Sequence, residues 1–304
     1  MQKKTKNKLS LIHRIYIGRH NYILMAPFLL MFSVFTLLPV LSAIALSFTY
    51  YNCLNLPRFV GWENYLRLFL EDSVFLITFK NTMIFALITG PLSYMLCFLF
   101  AWLINDLSPR VRSVVTAIFY APVLSGQAYS IWTFFFSADS YGIINGTLMR
   151  FGIIDEPKGW LTDPEMILGV VIVVQLWMSL GTGFLSFIAG LQGIDRSLYE
   201  AGVMDGVHNR IQEVWYITLP SMKPQLVFGA VMQIVASFSA GSVSQALVGS
   251  PSPQYAADTI VLHIADVGNN RYEMGYACAI ATVLFLLMAM FNFVVKRLLA
   301  RVGS

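Results

Sequence analysis

The chain has 304 residues, of which 57% are hydrophobic and only 12% charged, about half the charged share of a soluble domain. Its net charge of +4 comes from basic residues at the ends of long apolar blocks and not from a basic face, which excludes a nucleic-acid binder and points to lipid as the solvent. Cys53, Cys97 and Cys278 are scattered, and His13, His20, His208 and His263 share no ligand spacing, so neither a disulfide framework nor a metal site is expected.

The N-terminal segment 1–23 carries Lys3, Lys4, Lys6 and Lys8, then Leu11, Ile12, Ile15 and Tyr16 at helical spacing among Arg14 and Arg19. That pattern suits an amphipathic helix on an anionic leaflet, and equally a partly ordered tail. The apolar run 24–48 behind it exceeds the ~7–15 residues of a signal h-region, so it reads as a retained first span. Five further uncharged runs follow at 82–104, 113–136, 166–191, 224–248 and 274–295, each long enough to cross roughly 30 Å of hydrocarbon as a helix. Pro27, Pro39, Pro91 and Pro122 fall inside these runs, where kinks are expected. The predicted fold is therefore an all-α membrane protein with one six-helix domain, 24–298, and a short tail, 299–304.

With both termini in the cytoplasm, 14 of the lysines and arginines lie inside and 6 outside, as positive residues demand; 11 acids lie outside and 5 inside. One cytoplasmic connection, 192–223, is unusually long, and loops of that length are usually functional. In it, Ser197 is placed to N-cap a helix with Glu200 as the reciprocal partner three positions on, and Gly206 to end that helix after about two turns. A second stretch repeats Ile211, Val214, Trp215 and Thr218 at three to four residues and closes on Leu219 and Pro220. On these grounds alone it is a helix, a turn and a second helix lying against the membrane, or simply an interfacial loop.

The loop resembles the EAA signature of bacterial ABC importer permeases, here Glu200-Ala201-Gly202, Asp205-Gly206 and Ile217-Thr218-Leu219-Pro220. Two departures stand out: Gly202 replaces the third alanine, and ten residues instead of nine separate Gly206 from Ile217. Gly61-Trp62-Glu63-Asn64-Tyr65, Asn81-Thr82, Pro122-Val123, Gly190-Leu191-Gln192 and Pro220-Ser221-Met222-Lys223-Pro224 are similar to segments of the carbohydrate branch. The resemblance implies a type I ABC importer permease fold in a bacterial inner membrane, with the loop's short helix docked into a cytoplasmic ABC ATPase dimer. It makes Glu200 the charged contact, Gly206 the turn and Pro220 the entry to span five. It also implies a second, related permease chain, an extracytoplasmic solute-binding protein, and ATP and magnesium held by the ATPase, with no cofactor in this chain.

The uncharged runs offer no carboxylate or base for coupling to an ion gradient, and no Gly-x-x-x-x-Gly-Lys phosphate loop occurs. An ATP-driven importer subunit that is not itself an enzyme fits both absences; an ion-coupled secondary transporter is the alternative. A sugar site needs amide, hydroxyl and aromatic groups, for which Gln127 and Trp132 in span three, Gln175 and Trp177 in span four, and Gln233 and Ser237 in span five are available. Trp132 also suits an interfacial anchor, and Gln233 and Ser237 suit helix packing. Gly241 and Ser244 continue their spacing, Gly241 as a packing contact. The acidic connection with Asp139, Asp155, Glu156, Asp163 and Glu165 suits either a binding-protein contact or a solvated surface.

Overall fold

A computed structural model describes residues 19–125 and 128–299; the basic segment before Arg19, Gln127 and the last residues of the tail lie outside the described residues. Tyr22–Leu46, Ser73–Asn105, Pro164–Gln192, Lys223–Val248 and Met274–Leu299 are each long and apolar enough to cross a membrane. Pro109–Ser125 and Tyr129–Phe135, set at 88° to one another, make a sixth if they form one broken span. With that pair numbered third, each span matches one of the uncharged runs, in order. Burial sorts them into layers: the apolar windows of the fourth and fifth spans are 50% and 56% buried, against 33% for the second, 17% for the sixth and none for the first. Spans two, four and five therefore form the core, and spans one and six lie outside it.

The second span starts at Ser73, two turns before the uncharged run, because Asp72 caps it by accepting the Phe75 N–H at 2.9 Å. Lys80, whose charge ends the uncharged block, sits exposed in those added turns. Of the expected kinks, span two passes through Pro91 as one helix, whereas span one has a π turn, Ser33–Leu37, directly before Pro39. The 88° bend of the third span follows Pro122 by less than two turns, and two further interruptions fall where no proline stands. Span four divides into Pro164–Trp177 and Thr182–Gln192, and span five into Lys223–Phe238 and Ser242–Val248. Ser244 consequently belongs to a separate helix, with Gly241 capping it from the break, and neither extends the face of Gln233 and Ser237; Ser244 Oγ donates instead to Ala257 O at 2.7 Å.

The short segments that carried the wider resemblance turn out to be clasps. Asn64 donates from Nδ2 to Ser47 O at 2.8 Å and Thr49 O at 3.0 Å, while Trp62 packs edge-on against Phe48, so the end of span one is tied to the helix Glu63–Leu70. The two-stranded pair Thr49–Tyr50 and Arg58–Phe59 lies between them. Gly275, at the start of span six, donates to Tyr51 O at 3.0 Å, and a Cβ there would run into Thr49 O. On span two, Asn81 Nδ2 binds Tyr255 O and Asp258 O at 2.8 and 3.1 Å, and Thr82 Oγ1 accepts the Ile260 N–H at 2.9 Å. Gly190 lets span four approach span five, since a Cβ would lie 2.8 Å from Met222 Cε and 2.9 Å from Gln225 Cγ.

A buried polar network closes the same end. Asp72 Oδ2 lies 2.9 Å from His263 Nε2 and accepts the Tyr276 hydroxyl at 2.6 Å; beside it Arg67 pairs with Glu273 at 2.7 Å and lies over the Tyr276 ring. Burial opposes the charge of Asp72, but the bonds from His263, Tyr276 and the Phe75 N–H outweigh it and hold its carboxyl well below the usual carboxylate range. A depressed carboxylate contributes stability that is fully present above its unfolded pKa and is lost as the pH falls through the folded one. Asp72→Asn is therefore expected to melt several degrees lower than the parent near neutral pH, the gap closing below about pH 4. Thermal melts in detergent across that range check it, and a gap that does not change with pH would remove the charge from the explanation.

Candidate functional site

The helix Arg196–Met204 stands in the long connection between spans four and five. Its N-cap is Asp195, whose Oδ1 accepts the Ser197 N–H at 3.0 Å; the expected Ser197–Glu200 box does not form, because Ser197 already lies inside the first turn. The Ser197 backbone N–H and hydroxyl hold Asp195 below the ordinary carboxylate range. Gly206 does end the helix: at φ +90° it lets its own N–H reach Val203 O at 3.2 Å and the Val207 N–H reach Gly202 O at 2.9 Å, the paired bonds of a Schellman cap.

The second limb runs as Arg210–Glu213, a π turn Val214–Thr218, and Leu219–Ser221, with Asn209 capping its start through the Ile211 N–H at 2.9 Å. A π turn holds one residue more than an α turn, which is the size of the departure between Gly206 and Ile217. The carbonyl of Glu213 accepts the Thr218 hydroxyl at 3.2 Å within that turn. The widened turn also splits the apolar face read from the spacing: Thr218 is buried and Val214 half-buried, while Ile211 and Trp215 are exposed. The second departure has its own cause. A Cβ on Gly202 would come within 2.5 Å of Ile217 Cδ1, so the missing methyl is replaced by the isoleucine that fills its place.

Glu200, Ala201 and Asp205 are exposed, and Glu200 has no hydrogen bond or ion pair among the described residues. Leu219 and Ile194 pack on the cluster of Cys97, Phe187, Met222 and Leu226, which roots both ends of the connection in the core, and Pro220 remains exposed. Two further ties were not legible in the sequence: Tyr199 and Thr218 share a hydroxyl bond of 3.0 Å across the limbs, and Arg210 pairs with Asp106, before span three, at 3.2 Å. The first has no local signal; the second was signalled only by opposite charges on one side of the membrane. Around the acids the loop exposes Val203, Met204, Ile211, Trp215 and Tyr216, with Met204 87% accessible. Exposed apolar residues rimmed by charge are the kind of surface that meets a protein partner or a membrane.

The intramembrane candidates separate into two groups. Gln233 is buried, and its Nε2 donates to Ser179 O at 3.3 Å and Cys97 Sγ at 3.1 Å; the Ser179 carbonyl, at the break in span four, also accepts the Gly181 N–H at 2.8 Å and the Cys97 thiol at 3.3 Å. Ser237 donates to Ile234 O and abuts Gly90 of span two. Both line an apolar groove of about 400 Å³ between spans two, five and six. Trp132 and Trp177 meet edge-on at 5.4 Å between ring centres, beside Phe135 and Phe136. The Trp132 indole N–H has no acceptor among the described residues, and Gln175 is half-buried. Asp163 of the acidic connection caps span four through the Glu165 N–H at 3.0 Å.

No family model matches the chain. It is 30% identical to the lactose transport system permease protein LacF of Rhizobium radiobacter over 287 residues, covering 91% of this chain and 93% of that one. The chain belongs to the carbohydrate ABC importer permeases. This permease is also 29% identical to the arabinooligosaccharides transport system permease protein AraP of Halalkalibacterium halodurans, over 88% of its length and 83% of that relative's. Its fold matches a bacterial ABC transporter that imports the acidic polysaccharide alginate, with a TM-score of 0.75, 22% identity, and coverage of 97% of this chain and 99% of that one. It is thus a multi-pass membrane protein and a non-catalytic subunit, the ATPase activity of such transporters lying in a partner.

Proposed function

We propose that this permease carries a carbohydrate across the bacterial cytoplasmic membrane by alternating access, driven by a separate ATPase dimer that grips the 192–223 loop. Both termini face the cytoplasm in this reading, six spans make the domain 24–298, and the segments 1–23 and 299–304 lie inside. The observation that carries it is the loop itself: two capped helical limbs rooted in the core by Leu219 and Ile194, with Glu200 and an apolar patch turned outward. Glu200, Ala201 and Asp205 form the contact, Gly202 and Gly206 set its shape, and Leu219 and Pro220 pass its movement to span five, which Gln233 ties to the Ser179 carbonyl of span four. Trp132 and Trp177 offer an aromatic platform to a sugar ring, and Gln127, Gln175, Gln233 and Ser237 complete the proposed path.

A second permease chain and an extracytoplasmic binding protein complete the assembly, as in the alginate importer solved with a pentasaccharide-bound periplasmic protein. The test is purification in mild detergent: an ATPase should be recovered with this chain, and its hydrolysis should rise when a binding protein loaded with an oligosaccharide is added. On intact cells an impermeant maleimide should label Cys53, which is exposed near the strand pair, and spare a cysteine introduced at Ser197. Recovery without an ATPase, together with uptake abolished by an ionophore, would favour the ion-coupled reading.

A further inference from the structure

A cavity of about 770 Å³ opens between the ends of spans two and four, the start of span three and the two limbs of the loop, a size typical of small-molecule sites of roughly 300–1,000 Å³. Its charged lining is three arginines, Arg112, Arg196 and Arg210, against two acids, Asp106 and Glu213. Both acids are already spent on one of them: Arg210 lies 3.2 Å from Asp106 and 3.8 Å from Glu213. Arg112 gives one N–H to Leu107 O at 3.1 Å, and its Nε is enclosed without an acceptor among the described residues. Arg196 has no ion pair among the described residues. The cavity thus offers two guanidinium groups with unused donors and no carboxylate to answer them.

Its position narrows the ligand. Trp102 stands on the last turn of span two, and Pro109 and Gln192 are the first residue of span three and the last of span four, so the cavity lies where three spans leave the apolar zone. Headgroup phosphates occupy that level, and basic pockets between helices are suited to them. Guanidinium groups match phosphate oxygens with paired, parallel N–H donors, which an ammonium cannot.

We infer that this cavity binds a phosphate-bearing anion, supplied in the membrane by the headgroup of an acidic phospholipid and held by Arg112 and Arg196. Because Arg112 belongs to span three and Arg196 to the loop, the bound phosphate bridges them and holds the first limb of the loop against the membrane body. The inference rests on the proposed orientation only in assigning the headgroup to the inner leaflet; binding in detergent is independent of sidedness, and the maleimide result on Cys53 reads orientation separately.

The test uses the full-length chain as purified, delipidated and titrated with phosphatidylglycerol or phosphatidylcholine, bound lipid being counted by native mass spectrometry. Phosphatidylglycerol is expected to be retained in preference to phosphatidylcholine, and Arg112→Gln/Arg196→Gln to bind it about tenfold more weakly. Arg112→Lys/Arg196→Lys should recover part of the loss, which a merely misfolded variant would not do, and Lys296→Gln/Arg297→Gln, at the end of span six, should leave retention unchanged. An inorganic phosphate arm distinguishes the sources: arginine-dependent binding of phosphate with no lipid retained keeps the anion site and assigns it to free phosphate. Equal retention of the two lipids, or no difference between the parent and the glutamine variant in either arm, would overturn the inference.

Discussion

Replacing Glu200 by lysine is expected to cut substrate uptake by at least about tenfold while leaving the chain folded, because inverting a charge at an interface costs several kcal/mol and each 1.4 kcal/mol is a factor of ten. The folded chain should scarcely register the change: Glu200 is exposed and has no partner among the described residues, and such surface substitutions usually fall within ~0.5 kcal/mol. Two measurements separate the outcomes. If the ATPase still co-purifies and hydrolyses ATP without transport, Glu200 transmits movement; if it no longer co-purifies, Glu200 provides affinity. Uptake at the parental rate would remove this residue from the coupling surface.

The largest loss of stability should come from the opposite side of the molecule. Gly275→Ala places a methyl group against the carbonyl oxygen of Thr49, a backbone atom already held by Asn64 Nδ2 at 3.0 Å and therefore unable to yield. We expect a loss of about 3 kcal/mol, the upper part of the range for overpacking, and a chain recovered in low yield from the membrane. Gly169→Ala is the matched control: it lies within span four with nothing within 4 Å of its added methyl, and should be neutral or slightly stabilising. Comparable melting of the two variants would mean that the outer clasp moves apart freely.

The membrane fold was legible because charge is costly in hydrocarbon, so the uncharged blocks mark the spans with little help from local propensity. Where charge was not the governing cost, the reading slipped. Lys80 ended a block without ending a helix, since Asp72 caps span two well outside the apolar zone. The breaks in spans four and five were invisible because Ser179, Gly181 and Gly241 look like ordinary packing residues, and a side chain that bonds the Ser179 carbonyl at the first break, Gln233, is 54 residues away. In the loop, Asp195 and Ser197 are both good caps two residues apart, and only the path of the chain leaving span four decides between them. Asn64, Asn81 and Thr82 were recognisable through family likeness alone; each bonds a backbone group that nothing in its own neighbourhood identifies.

The π turn over Val214–Thr218 makes the loop a matter of phase as well as of composition. One residue of α-helix is about 100° of rotation and 1.5 Å of rise, so an extra residue wound as α-helix would turn the upper limb by more than a quarter of a revolution relative to Leu219 and Pro220. Met204 and Ile211 would then point elsewhere, even with every side chain preserved. The wider π turn takes up the extra residue and keeps the limbs on either side close to the phase they would have with nine. In the proposed complex the exposed face of the loop is thereby insulated from the length of the segment behind it, a tolerance that lets related chains differ by one insertion and still present the same surface to a shared partner.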